Sequence, residues 1–226
     1  MRYLLVALIG LALGAAGAVV VLYYNPLTDK SAPTPGATDR VLRYSLPDQV
    51  LHFSVGEDAQ LFGQDAGDDA LWEETIDRAA VLGLVLNDGS NQPVALASRL
   101  LSTSPDTNLL LRGVLVSDDW LVTIPNEGTF YLHADSNAWP FVKEKLVPVW
   151  YLDRPWSGPA EYWPTVGPGA DDTANVVGIT GTFRGSEGSA VEHYEVTALD
   201  PTRRVALAKG ELYLNLPGTG PQVAAK

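Results

Sequence analysis

Residues 190–216, AVEHYEVTALDPTRRVALAKGELYLNL, decide the fold. From 190 to 199 the residues alternate, with Tyr194, Val196 and Ala198 on one side. A period of two is the signature of a half-buried strand. Asp200-Pro201-Thr202-Arg203 follows with proline preset for the second position of a type I turn. Residues 205–216 then form a return strand. Two alternating runs joined by a short turn predict an antiparallel pair.

Working outward, the same grammar recurs. A strand over 174–183 ends at Gly185-Ser186-Glu187-Gly188. Residues 49–55, QVLHFSV, put Leu51, Phe53 and Val55 on one face. Strands at 80–86 and 93–101 flank Asn87-Asp88-Gly89-Ser90-Asn91-Gln92, whose Asp-Gly pair is a hairpin signal. Residues 108–116 lead through Ser117-Asp118-Asp119, expected to turn, into 120–124. Asn126-Glu127-Gly128 turns again into 129–134. Two helices are expected to interrupt this meander. One spans 69–78, capped by Asp69, with Trp72, Ile76 and Ala79 at helical spacing. The other spans 137–146, capped by Ser136, with Phe141 and Leu146 inward and Lys143 and Lys145 outward. The expected class is mainly β, an antiparallel barrel or sandwich with two short helices, preceded by one transmembrane helix.

That N-terminal helix comes from residues 3–24, YLLVALIGLALGAAGAVVVLYY, which carry no charge. At about 1.5 Å per residue the run is long enough for a bilayer core. Tyr3, Tyr23 and Tyr24 suit the two interfaces, and Arg2 places the N-terminus in the cytoplasm. Ala16-Gly17-Ala18 has the spacing of a cleavage site, but cutting there would expose VVVLYY, so an uncleaved anchor is expected. Gly10 and Gly14 form a GxxxG pair that could bring two such helices together. The expected organisation is an anchor at 1–24, a Pro/Thr/Ala-rich linker at 25–40, a β-rich domain at 41–217 and a tail at 218–226. The domain is placed across the inner membrane, in the periplasm or outside.

Composition narrows the partners. The chain has 226 residues, 46% hydrophobic and 19% charged, which is globular rather than disordered. Its net charge of −12 disfavours nucleic acid and anionic headgroups alike. It contains no cysteine, which excludes disulfides, thiol nucleophiles and Cys-zinc sites. An exported domain without disulfides fits a bacterial envelope.

Signature motifs for hydrolases, nucleotide-binding loops and zinc proteases are missing. Gly167-Pro168-Gly169 lacks a third glycine. Asp65-Ala66-Gly67-Asp68-Asp69 fails the calcium-loop pattern because its sixth position is Ala70. Neither metal nor cofactor is expected. Acid–base candidates are His133 with Asp135 and His193 with Glu195, since residues two apart share a strand face. His52 sits in a strand without such a partner. The contact candidates lie in 139–168, where four of the six tryptophans fall among prolines that should prevent regular strand. Trp139, Trp150, Tyr151, Arg154, Trp156, Glu161, Tyr162 and Trp163 would form a lid over the sheet or a surface for an apolar ligand or a protein.

Thr180-Gly181-Thr182-Phe183-Arg184-Gly185-Ser186-Glu187-Gly188 resembles the T-G-x-F-x-G-x-x-G stretch of the allene oxide cyclase and dirigent barrels. The likeness covers residues 176–196. Ile179 and Thr180 stand where that family carries a double glycine. The resemblance implies a closed eight-stranded antiparallel barrel that holds small, mostly apolar ligands. Three functions follow as expectations: an envelope binding or accessory protein, a hydrolase or isomerase using the His–carboxylate pairs, or a structural subunit of a membrane complex.

Overall fold

The computed structural model describes residues 2–23, 38–46, 50–55, 79–108, 110–152, 154–166, 173–200 and 205–216. Several expectations fall outside them: the helix at 69–78, the acidic run at 65–69, Gly167-Pro168-Gly169, the turn at Pro201, most of the linker and the tail.

Helix α1 spans Arg2–Tyr23. Its fully described residues, 11–21, are exposed. Among the described residues no helix is long and apolar enough to cross a membrane.

Among the described residues ten strands follow: β1 Arg40–Leu46, β2 Val50–Val55, β3 Ala79–Asn87, β4 Pro93–Thr103, β5 Leu115–Ile124, β6 Gly128–Asn137, β7 Trp156–Tyr162, β8 Ala174–Gly178, β9 Glu187–Asp200 and β10 Val205–Asn215. All pairings are antiparallel. Eight strands close a barrel in the order β1-β10-β9-β8-β6-β5-β4-β3, sealed where Arg43 of β1 meets Asn87 of β3. Beyond that seam β2 takes over the same edge of β3. Likewise β7 continues along the edge of β9 beyond β8. The sequence left barrel and sandwich open; a closed barrel is found, as the resemblance implied.

Every second side chain of each stave points inward, as the pleat requires. In β5 these are Asp118, Trp120, Val122 and Ile124, all buried. One end of the barrel is filled by Leu42, Leu84, Phe130, Leu132, Leu212 and Leu214. Phe183 closes it edge-on against Phe130, ring centroids 5.6 Å apart. Here the T-G-x-F motif has a steric reason. Gly181 has φ +62°, and a Cβ there would overlap the Glu127 carbonyl. Arg40 pairs with Glu127 at this end, 2.7 Å.

Several details depart from the sequence reading, among them the strand expected over 174–183, which ends at Gly178 before a 3-10 turn at Gly181–Phe183. Ser117-Asp118-Asp119 is strand, not turn, because β5 pairs without interruption with β4 and β6. Asn108 and Gly113, expected in one strand, are instead bridged to each other. Residues 156–162 form strand despite Pro159, since a register shift between Ser157 and Ala160 absorbs Gly158-Pro159. In β9 a shift opposite Leu207 and Ala208 turns Leu199, not Ala198, into the core.

The second expected helix is longer and less regular than 137–146. Its cap is Ala138, not Ser136, which lies buried in β6. It comprises α2 Trp139–Phe141, a π-turn Val142–Leu146 and α3 Val147–Leu152. The widened turn ends just before Pro148, which cannot donate to the carbonyl four residues back and crowds it. Phe141 and Leu146 face the barrel. Lys143, expected outside, is buried, because the π-turn rotates it inward.

Candidate ligand-binding site

Midway along the bore, three charged side chains occupy inward positions. Arg99 follows Ala95 and Ala97 on β4, Asp118 precedes Trp120 on β5, and Glu192 precedes Tyr194 on β9. Tyr44 joins them from β1. Its ring lies over Gly210, where a Cβ would overlap it.

The guanidinium of Arg99 spends every donor it has. Nε donates to Asp118 Oδ1 at 2.9 Å and Nη2 to Asp118 Oδ2 at 2.5 Å, a bidentate pair. Nη2 also donates to Glu192 Oε2 at 2.9 Å. Nη1 donates to the hydroxyls of Tyr44 at 3.0 Å and Tyr194 at 2.9 Å. Its plane stacks on Trp120, 4.4 Å from the ring centroid. Tyr44 in turn donates to Glu192 Oε1. Burial works against the Arg99 charge, but Asp118 and Glu192 outweigh it and hold the group ionised. Burial pushes the Glu192 carboxyl up to about 7, against the pull of Arg99 and with the push of Asp118. Burial likewise raises Tyr44, Tyr162 and Tyr194. One cation thus faces two carboxylates, one of which holds its proton to near neutrality.

Above this cluster lies a cavity of about 220 Å³. Ala80, Leu101, Leu115, Val196 and Ala208 form its walls. Arg99, Ser136 and Tyr194 border its floor, while Phe141, Val142, Leu146, Tyr162 and Pro164 close it over. Three rings run from cover to floor: Phe141 stacks on Tyr162 at 5.2 Å, and Tyr162 on Tyr194 at 5.4 Å. The cover is pinned by backbone bonds from Ala138 to Val114 and from Asn137 to Pro164. An apolar chamber with a few polar groups at one end is the ordinary form of a small-molecule site.

The residues singled out from sequence are distributed differently. Among the described aromatic contact candidates, Tyr162 alone lines the cavity. Trp163 stacks on His193 at 4.4 Å, outside the bore. Trp156 lies under the Lys145 ammonium, 4.9 Å away. Trp139 is half-buried with its indole nitrogen unpaired among the described residues. Tyr151, Arg154 and Glu161 are exposed. The side chains of Trp150 and His52 are outside the described set.

The histidines sit on the outer wall. His133 Nδ1 meets Asp119 Oδ1 at 2.7 Å, its cross-strand neighbour, rather than pairing with Asp135. His193 lies 3.9 Å from Glu161 and 3.8 Å from Glu211, while Glu195 is opposite Lys209 in the ladder. The two histidines do not meet in the cavity. The central cluster was missed by sequence reading, yet a signal for it exists. In β4, β5 and β9 a charged residue falls in the inward phase of an otherwise apolar alternation.

No known protein family matches the sequence, and no curated protein does. Among solved structures, the chain is similar to a nonspecific heme-binding cyclase that catalyses a 4 + 2 cycloaddition during neoabyssomicin biosynthesis. The TM-score is 0.36 and the identity 8%, over 84% of this chain and 69% of that one.

Proposed function

We propose that this chain is a binding protein for a small, largely apolar molecule carried inside its barrel, and that α1 holds it at a membrane. The observation behind the first part is the cavity of about 220 Å³ between the polar cluster and the helical cover. By comparison with the roughly 150 Å³ cavity that takes benzene, it suits a guest on the order of ten heavy atoms. The His–carboxylate pairs, being on the outer wall, take no part in this reading.

Native mass spectrometry of the full-length chain tests it. A small apolar guest should come off the purified protein, or an added one should saturate it. Leu101→Trp, which fills the chamber from β4, should abolish loading without changing the far-ultraviolet spectrum. Failure of any apolar probe to saturate the wild-type chain overturns the proposal.

The membrane part rests on the uncharged run at 3–24, with Gly10 and Gly14 offering a face for a second copy. Because the chain lacks cysteine, a single Ser90→Cys reports its side of the membrane. A membrane-impermeant maleimide should label it from outside the cytoplasmic membrane; labelling only after lysis would reverse the orientation.

A second reading, an acid–base enzyme such as an isomerase, has one observation in its favour. Glu192 titrates near neutrality and connects through Arg99 to Tyr194 at the cavity floor. Turnover lost in Glu192→Gln with retained guest binding would favour it.

A further inference from the structure

An arginine beside an apolar cavity invites the guess of a fatty-acid carboxylate. We infer the opposite: the cavity selects neutral apolar molecules bearing one hydrogen-bond-accepting oxygen, and rejects carboxylates, because its arginine has neither a donor nor a charge to spare. This rests on the ligand-binding reading above and specifies its ligand class.

The donor account comes first. A guanidinium has five N–H groups. Five hydrogen bonds leave Arg99, two to Asp118, one to Glu192, one to Tyr44 and one to Tyr194. A carboxylate arriving from the cavity finds no N–H pointing at it and would have to displace a buried partner. Displacing Asp118 or Glu192 leaves an unpaired buried charge, which is costly.

The charge account agrees. Arg99 is the sole cation among the described cavity-lining residues, and two carboxylates already face it. The floor is therefore neutral at best and negative when Glu192 is ionised. A further anion brought into an apolar chamber is repelled and poorly solvated. Lys143 and Lys145 belong to the cover but do not line the chamber.

The polar groups that remain suit a neutral guest. Tyr162 lines the cavity between Phe141 and Tyr194. Burial raises its pKa, so the hydroxyl keeps its proton and can donate. Ser102 and Thr103 belong to the lining as well, whereas the Ser136 hydroxyl already donates to Asp118 at 3.5 Å. A hydroxyl donates well to a ketone, ester or alcohol oxygen, and a neutral oxygen brings no net charge to desolvate.

Calorimetry on the full-length chain in lipid nanodiscs, with empty nanodiscs subtracted, tests this with octan-2-one and octanoate near pH 8. The ketone should bind at least about tenfold more tightly. Glu192→Gln should narrow that gap by strengthening octanoate, and Tyr162→Phe should weaken the ketone several-fold while leaving octane unchanged. Octanoate binding as well as or better than the ketone overturns the inference while leaving the ligand-binding reading in place. An octanoate affinity indifferent to a folded Glu192→Gln overturns the charge argument. If neither probe nor octane binds, both readings fall together.

Discussion

Arg99 is the residue on which the barrel interior turns. It compensates Asp118 and Glu192 simultaneously and orders two tyrosines, with Trp120 stacked on its plane. Breaking a buried ion pair from one side costs about 3–5 kcal/mol, since the abandoned charge remains in a poor solvent. Arg99→Met is thus expected to lose about that much stability, measured as the shift in a urea unfolding curve. Simultaneous replacement of Arg99, Asp118 and Glu192 by Met, Leu and Gln should recover most of it. A single variant as stable as wild type would contradict the account. None of this was singled out in the sequence, although the letters were legible. Asp118 was assigned to a turn because two aspartates follow a serine. Glu192 is a single charge beside His193, whose pairing with Glu195 two residues on carries the more familiar acid–base pattern. Extending the alternation of Trp120, Val122 and Ile124 one step back would have placed Asp118 inside.

Among the elements, the helical cover differs most from the staves. Residues 139–152 are held to the barrel by the backbone bonds of the preceding Asn137 and Ala138, the Phe141–Tyr162 stack and apolar contacts, whereas β5 is paired along its length on both sides. Local opening follows such differences. Amide hydrogens of 139–152 should exchange at least about a hundredfold faster than those of β4 to β6, and octan-2-one should slow them. Equal protection of cover and staves would remove the cover's role as the moving part. The sequence located this helix from Phe141 and Leu146, both of which face the barrel. It misjudged Lys143, because a π-turn adds one residue to the helical period and no helical-wheel reading anticipates that. It also denied strand to 156–162 on account of Pro159, where an irregular register accommodates the ring.

For the whole molecule, the antiparallel meander of β3 to β6 and the β9–β10 pair were readable from alternation and turns, but β1, β7 and closure were not. Closure depends on a contact between β1 and β3, separated by a region in which no pattern announces the partner. The closed bore buries its titratable cluster, and that has a thermodynamic consequence. Glu192 is raised from 4.5 to about 7 by burial, so the folded state holds its proton more tightly than the unfolded chain. Its contribution to stability is full below about 4.5 and is lost as the pH rises through about 7. Denaturant midpoints should therefore fall for the wild type across that window, and fall less for Glu192→Gln. Parallel profiles for the two proteins would show that another group sets the dependence.

The cluster ties β1, β4, β5 and β9 to one another straight across the lumen. On the ligand-binding proposal it acts as a depth stop. However far the helical flap swings, a guest can advance no further than this crossbar, and the greasy plug beyond it never meets cargo. Lengthening the chamber towards that plug would require replacing the crossbar as a set, so guests of different sizes are accommodated, if at all, by rebuilding the flap.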